Sequence, residues 1–115
     1  MERTISPAGL RAVLAAGPAA RVAVLDVRRR VAFEADPHVI PGAAWRDPHR
    51  VDAWAAELAP GAPVVVYCVH GHEVSNGVVD RLRALGFDAA LVEGGIEAWK
   101  AAGGAVAARE AGDAP

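Results

Sequence analysis

Apolar positions in this chain follow two alternating patterns. Short unbroken runs at 22–25, 64–67 and 89–92 read as strands buried on both faces, with 43–45 as a further short strand. Between them the apolar positions fall at helical spacing: Leu10, Val13 and Leu14; Val51, Trp54, Ala55 and Leu58; Val78, Val79, Leu82 and Leu85; Ile96 and Trp99. The punctuation agrees. Ser6-Pro7 and Asp47-Pro48 are cap-plus-proline starts, Gly17-Pro18 and Pro60-Gly61 are stops, and Gly86 is placed as a C′ residue. Residues 29–41 are mixed, broken by Pro37 and Pro41, and are assigned no element. From about Gly103 small and charged residues predict a loose end, so the expected division is a domain over 1–103 and a flexible C-terminal tail over 104–115. Continuous strands alternating with amphipathic helices predict an α/β fold built on an open, mostly parallel sheet flanked by helices.

Composition narrows the class. At 115 residues and 53% hydrophobic content, one packed domain is expected. A net charge of -2 and a pI near 6.0 give no general attraction to nucleic acid or to an anionic membrane. The one basic cluster, Arg28-Arg29-Arg30, is read as a solvated turn. No apolar run approaches the ~18 residues of a spanning helix, and the start of the chain has no apolar signal region. Its single cysteine excludes an intrachain disulfide and a cysteine-based metal cluster, and fits a reducing compartment. A cytoplasmic protein is expected.

That cysteine, Cys68, carries the candidate chemistry. It stands where the run 64–67 ends and a glycine-containing loop leads into a helix expected over 75–85. Loop amides and a helix N-terminus there favour thiolate over thiol. Gly71 permits the tight curl that an anion-binding nest of backbone amides requires. The competing reading is a buried, inert cysteine, for which free cysteine has a strong tendency.

Four segments, taken in order, resemble the rhodanese family of single-domain sulfurtransferases. Leu25-Asp26-Val27-Arg28 is similar to the family's Asp-x-Arg at a strand end, and His38-Val39-Ile40-Pro41-Gly42-Ala43 to its His-Ile-Pro-Gly-Ala turn. Cys68-Val69-His70-Gly71 resembles its Cys-x-x-Gly loop, and Gly94-Gly95-Ile96-Glu97-Ala98-Trp99 its Gly-Gly-x-x-x-Trp signature. The resemblance implies a rhodanese-like open sheet of about five strands. It also implies a persulfide on Cys68, formed from a small sulfur donor such as thiosulfate and passed to a thiol, cyanide or an acceptor protein, with no cofactor. Val69, His70, Gly71, His72, Glu73 and Val74 would bind the substrate, and Asp26 with Arg28 would be a supporting structural pair.

The chain departs from the family pattern in its loop. The family's serine arrives one residue late, as Ser75, and no Arg or Lys lies between Cys68 and the helix; His70, His72 and Glu73 stand there instead. A phosphatase loop would end in an arginine clamp at the place of Val74, so phosphatase activity is not expected. His70 and His72 lack the further ligands that a metal would need, and no metal is assigned. Two alternatives remain beside the enzyme. One is a non-catalytic module that binds a partner or senses oxidants through Cys68. The other is a resistance-associated protein handling arsenate or chromate in the longer loop. His38, His49, Trp45, Trp54 and Trp99 are read as architectural or surface residues.

Overall fold

The computed structural model describes residues 2–108. Its centre is a five-stranded parallel sheet of β1 (Thr4–Ile5), β2 (Ala23–Asp26), β4 (Ala44–Trp45), β5 (Pro63–Tyr67) and β6 (Asp88–Val92), in the order β1-β6-β5-β2-β4. The remaining strands, β3 (His38–Val39) and β7 (Ala107–Ala108), form a separate antiparallel pair. The helices are α1 (Pro7–Ala16), α2 (Arg30–Ala35), α3 (Val51–Ala55), α4 (Glu73–Ala84) and α5 (Gly95–Ala101).

Strand periodicity explains why β5 is apolar throughout. Val64 and Val66 face one way, packing with Trp54, Val78, Val79 and Leu82 of α3 and α4. Val65 and Tyr67 face the other way, against Leu10 of α1 and Ile96 and Trp99 of α5. Val64, Val65, Val66 and Tyr67, four of the five β5 residues, are fully buried. Each fully buried valine contributes about 1.5–3 kcal/mol of apolar burial, which makes this strand the rigid centre of the fold. Register with β2 (Leu25 beside Val66, Asp26 beside Tyr67) places the carboxyl ends of β2 and β5 side by side.

Several expectations need correction. The segment 29–41, read as irregular, contains α2 and β3, and β1 was not expected at all. The helix after Asp47-Pro48 is only Val51–Ala55; Asp47 caps the preceding turn, its Oδ1 accepting from the His49 amide at 2.9 Å. Helix α4 begins at Glu73, two residues before the expected start. Residues 104–108, expected as the beginning of a loose tail, instead lie against the domain. The Gly104 amide donates to the Trp99 carbonyl at 2.9 Å, Trp99 Nε1 donates to the Ala105 carbonyl at 2.8 Å, and Ala107 and Ala108 pair with Val39 and His38. The expected tail beyond them, 109–115, lies outside the described residues. Among those residues no helix is long and apolar enough to cross a membrane.

Candidate active site

Cys68 follows directly on β5, the middle strand, at the carboxyl edge of the sheet where parallel α/β folds place their reactive groups. It is 6% exposed, so the thiol is recessed but reachable. Its Sγ lies 3.1 Å from Ser75 Oγ, donating to it, while the serine hydroxyl points on to the His72 carbonyl at 3.5 Å. A hydroxyl rotates freely, so the same oxygen accepts from a thiol and donates to a thiolate. Ser75 is completely buried in the first turn of α4 and has no other visible task. The site residues inferred from sequence omit it, although its place as the family's displaced serine was the available signal.

The loop from Val69 to His72 is held from behind. Gly71 has φ +72°, and a Cβ there would sit 2.8 Å from both the Val92 carbonyl oxygen and the Gly94 amide. Gly95, at φ +63°, lies so close that a Cβ would strike the carbonyls of Cys68 and Val69. Those carbonyls are held by the first amides of α5: Ile96 N–H donates to Cys68 O at 2.9 Å and Glu97 N–H to Val69 O at 3.1 Å. The Gly-Gly-x-x-x-Trp segment is therefore a clamp on the reactive loop, and Trp99 fixes the helix that carries it. With carbonyls turned to α5, the amides of residues 69–75 donate to no acceptor among the described residues. They are free to bind an anion, aided by the positive end of the twelve-residue α4.

A pocket of about 250 Å³ opens over Cys68. Of the residues expected to bind substrate, Val69, His70, His72, Glu73 and Val74 line this pocket; Gly71 does not, and packs closely against Gly94 and Gly95 instead. The His70 and His72 rings lie 6.4 Å apart, and no group of three His, Cys, Asp or Glu side chains among the described residues is arranged to hold a metal. Opposite the loop, the pocket wall is made by Arg28, Arg29 and Ala32 from the β2–α2 connection. Arg29, which the sequence reading assigned to a solvated turn, thus lines the pocket over Cys68.

Arg28 itself is almost fully buried, which overturns the solvated-turn reading for this residue. Its Nη2 and Nε donate to both carboxylate oxygens of the buried Asp26 at 2.7–3.1 Å, its Nη2 to the His38 carbonyl at 3.0 Å, and its Nη1 approaches Asp36 at 3.4 Å. Burial alone would lower the pKa of Arg28; hydrogen bonds and charge from Asp26 outweigh it, and the net shift is upward. Asp26 and Arg28 are thus joined as a buried ion pair. Burial, followed by the charge of Asp26, pushes the Tyr67 phenol far up, so the hydroxyl stays protonated and accepts from the Ile40 amide at 3.2 Å. Asp36 ties this network to α5 through Lys100 Nζ at 2.5 Å. Desolvation opposes ionisation of Asp36, but hydrogen bonds from Lys100 and the His38 amide hold its carboxyl at about 2.

A parallel sheet in the order β1-β6-β5-β2-β4, with a cysteine loop clamped at the end of its middle strand, defines a class of small α/β domains. The profile described as Rhodanese-like domain matches residues 6–102, and the chain belongs to that family. The rhodanese-like domain from Anabaena sp. is 30% identical, with a TM-score of 0.79, covering 95% of this chain and 81% of that one. A thiosulfate sulfurtransferase from Pseudomonas aeruginosa is 27% identical at TM-score 0.79, covering 96% of this chain but only 20% of the longer protein. A protein of unknown function from Rhodopseudomonas palustris, titled a possible tyrosine phosphatase, is 26% identical at TM-score 0.76, covering 91% and 84%. No curated protein matches the sequence.

Proposed function

We propose that this rhodanese-like domain is a sulfurtransferase in which Cys68 carries the transferred sulfur. The Cys68 thiolate attacks the outer sulfur of a small donor such as thiosulfate; that sulfur's bond to the rest of the donor breaks and a persulfide forms. A thiol, cyanide or acceptor protein then removes the outer sulfur. The observation that carries this reading is the recessed Sγ of Cys68, 3.1 Å from a buried serine hydroxyl and at the head of a loop whose amides have no acceptor among the described residues. Such a setting stabilises negative sulfur both before attack and after transfer.

Intact-mass measurement after treatment with thiosulfate or mercaptopyruvate tests it. One added sulfur atom is expected, removable by cyanide and absent from Cys68→Ser. No adduct from any donor, or an adduct that survives the substitution, rejects the reading. Aryl phosphate hydrolysis is not expected, because Val74 stands where a phosphatase loop needs its arginine. Hydrolysis that depended on Cys68 would show that another group supplies the clamp.

A further inference from the structure

Three consecutive arginines leave β2, and their surroundings separate them. Arg28 is consumed by Asp26, Asp36 and the His38 carbonyl. Arg30 lies over the Trp45 ring at 5.6 Å and reaches Glu34 at 3.9 Å. Arg29 is exposed, forms no ion pair or side-chain hydrogen bond among the described residues, and lines the pocket over Cys68. Glu73, in the first turn of α4, lines the same pocket and is likewise exposed and unpaired among the described residues. Both also border the neighbouring depression beside His49 and Gly77, so both stand at the rim rather than on the floor. No ion pair joins them, which leaves each charge open to a ligand. The pocket, about 250 Å³, is below the roughly 300–1,000 Å³ of cavities that enclose drug-sized ligands, and suits a molecule of few heavy atoms.

A donor or acceptor bearing only negative charge would meet attraction from Arg29 and repulsion from Glu73. A small molecule with one charge of each sign would meet attraction from both. We propose that Arg29 and Glu73 form a two-charge rim that selects a low-molecular-weight thiol with an amino-acid end, a carboxylate for Arg29 and an ammonium for Glu73, as the acceptor of sulfur from Cys68. This deepens the sulfurtransferase reading and rests on it. The acceptor thiolate attacks the outer sulfur of the Cys68 persulfide. The sulfur–sulfur bond breaks, its electron pair leaves with Cys68 as thiolate, and the acceptor departs as the persulfide, with no net oxidation. Arg29 and Glu73 take no part in the bond changes; they set which thiol is held in line with the sulfur.

Four acceptors separate the charges: cysteine carries both, 3-mercaptopropionate the carboxylate alone, cysteamine the ammonium alone, and 2-mercaptoethanol neither. The wild-type protein, loaded with sulfur from thiosulfate, is mixed with each, and single-turnover rates are expressed relative to 2-mercaptoethanol. Arg29→Gln should lower the relative rates for cysteine and 3-mercaptopropionate by about fivefold, as expected for loss of one solvent-accessible charge contact. Glu73→Gln should do the same for cysteine and cysteamine. If either variant moves all the thiols by a common factor, or leaves the relative rates as they were, the proposal is overturned. A second measurement does not depend on transfer: amide shifts in the full-length protein titrated with S-methylcysteine, which cannot accept sulfur. Saturable shifts in residues 69–74, weakened in both variants, support the rim; their absence, or indifference to the substitutions, overturns it. Should no donor load Cys68, the sulfurtransferase reading fails by itself and this titration alone decides the rim.

Discussion

Cys68 Sγ and Ser75 Oγ are 3.1 Å apart, linking the end of the middle strand to the first turn of the helix that follows. The contact closes the reactive loop with a group that can reverse its hydrogen bond as the sulfur gains or loses charge. Ser75→Ala should keep the fold and lower the rate of persulfide formation by about tenfold, the effect of removing one hydrogen bond to a charged group. Stopped-flow rates beside an unchanged near-ultraviolet circular dichroism spectrum check this. An unaltered rate would mean that the serine only fills space.

Gly71 and Gly61 provide a matched comparison. Both have φ near +70°, but a Cβ at Gly61 meets nothing within 4 Å, whereas at Gly71 it meets the Val92 carbonyl and Gly94 amide at 2.8 Å. Alanine at either position carries the left-handed backbone cost of about 1–3 kcal/mol. Alanine at 71 should cost measurably more in urea denaturation and also abolish sulfur loading. Equal costs at the two sites would show that the approach of the loop to α5 is loose.

The buried pair Asp26–Arg28 should behave asymmetrically. Asp26→Asn leaves the Arg28 charge without its main partner and should destabilise by about 3–5 kcal/mol, while Asp26→Asn with Arg28→Met should recover part of that loss. Equilibrium unfolding of the two single variants and the double gives the coupling. Strictly additive losses would contradict the geometry of three bonds at 2.7–3.1 Å.

Asp36 predicts an acid limb to stability. Its carboxyl is depressed from an ordinary 3.8 to about 2 by Lys100 and the His38 amide, against the effect of desolvation. A depressed carboxylate contributes stability that is complete above its unfolded value and is lost as pH falls through the folded one, so the loss lies between roughly pH 4 and pH 2. Solvent reaches both partners, which limits the effect to about 1 kcal/mol. Unfolding of Lys100→Met should show a weaker acid limb over that interval; an identical limb would place the proton uptake elsewhere.

Much of this architecture was readable beforehand because β2, β5 and β6 are covered on both faces and therefore appear as unbroken apolar runs. The loop after Cys68 was readable for a different reason: it sets one cysteine and one glycine at a fixed spacing between a strand and a helix. Of the two-residue strands, only Ala44–Trp45 was expected; the others left no such trace. Thr4–Ile5 is a strand because β6 offers it an open edge, and Ala107–Ala108 because His38–Val39 does, and both conditions are set by tertiary contact. The three arginines were harder to separate, although the resemblance implied a pairing of the first with Asp26. The fold adds that Asp26 draws the first inward, that Trp45 and Glu34 engage the third, and that the second is left lining the pocket. Ser75 was visible as a residue, but its bond to sulfur depends on α4 starting at Glu73.

The amides of Ile96 and Glu97 that grip the carbonyls of Cys68 and Val69 also impose an order in time. Chains are made from the amino end, so the thiol leaves the ribosome before the segment that shapes its loop does. Strand β1 waits too, since its neighbour in the sheet is β6. A growing chain therefore carries its reactive sulfur unshaped until the last helix is out, and a chain ending at Val92 should take up no sulfur from thiosulfate. On the sulfurtransferase reading, the competence of Cys68 would mark that synthesis of the domain is complete.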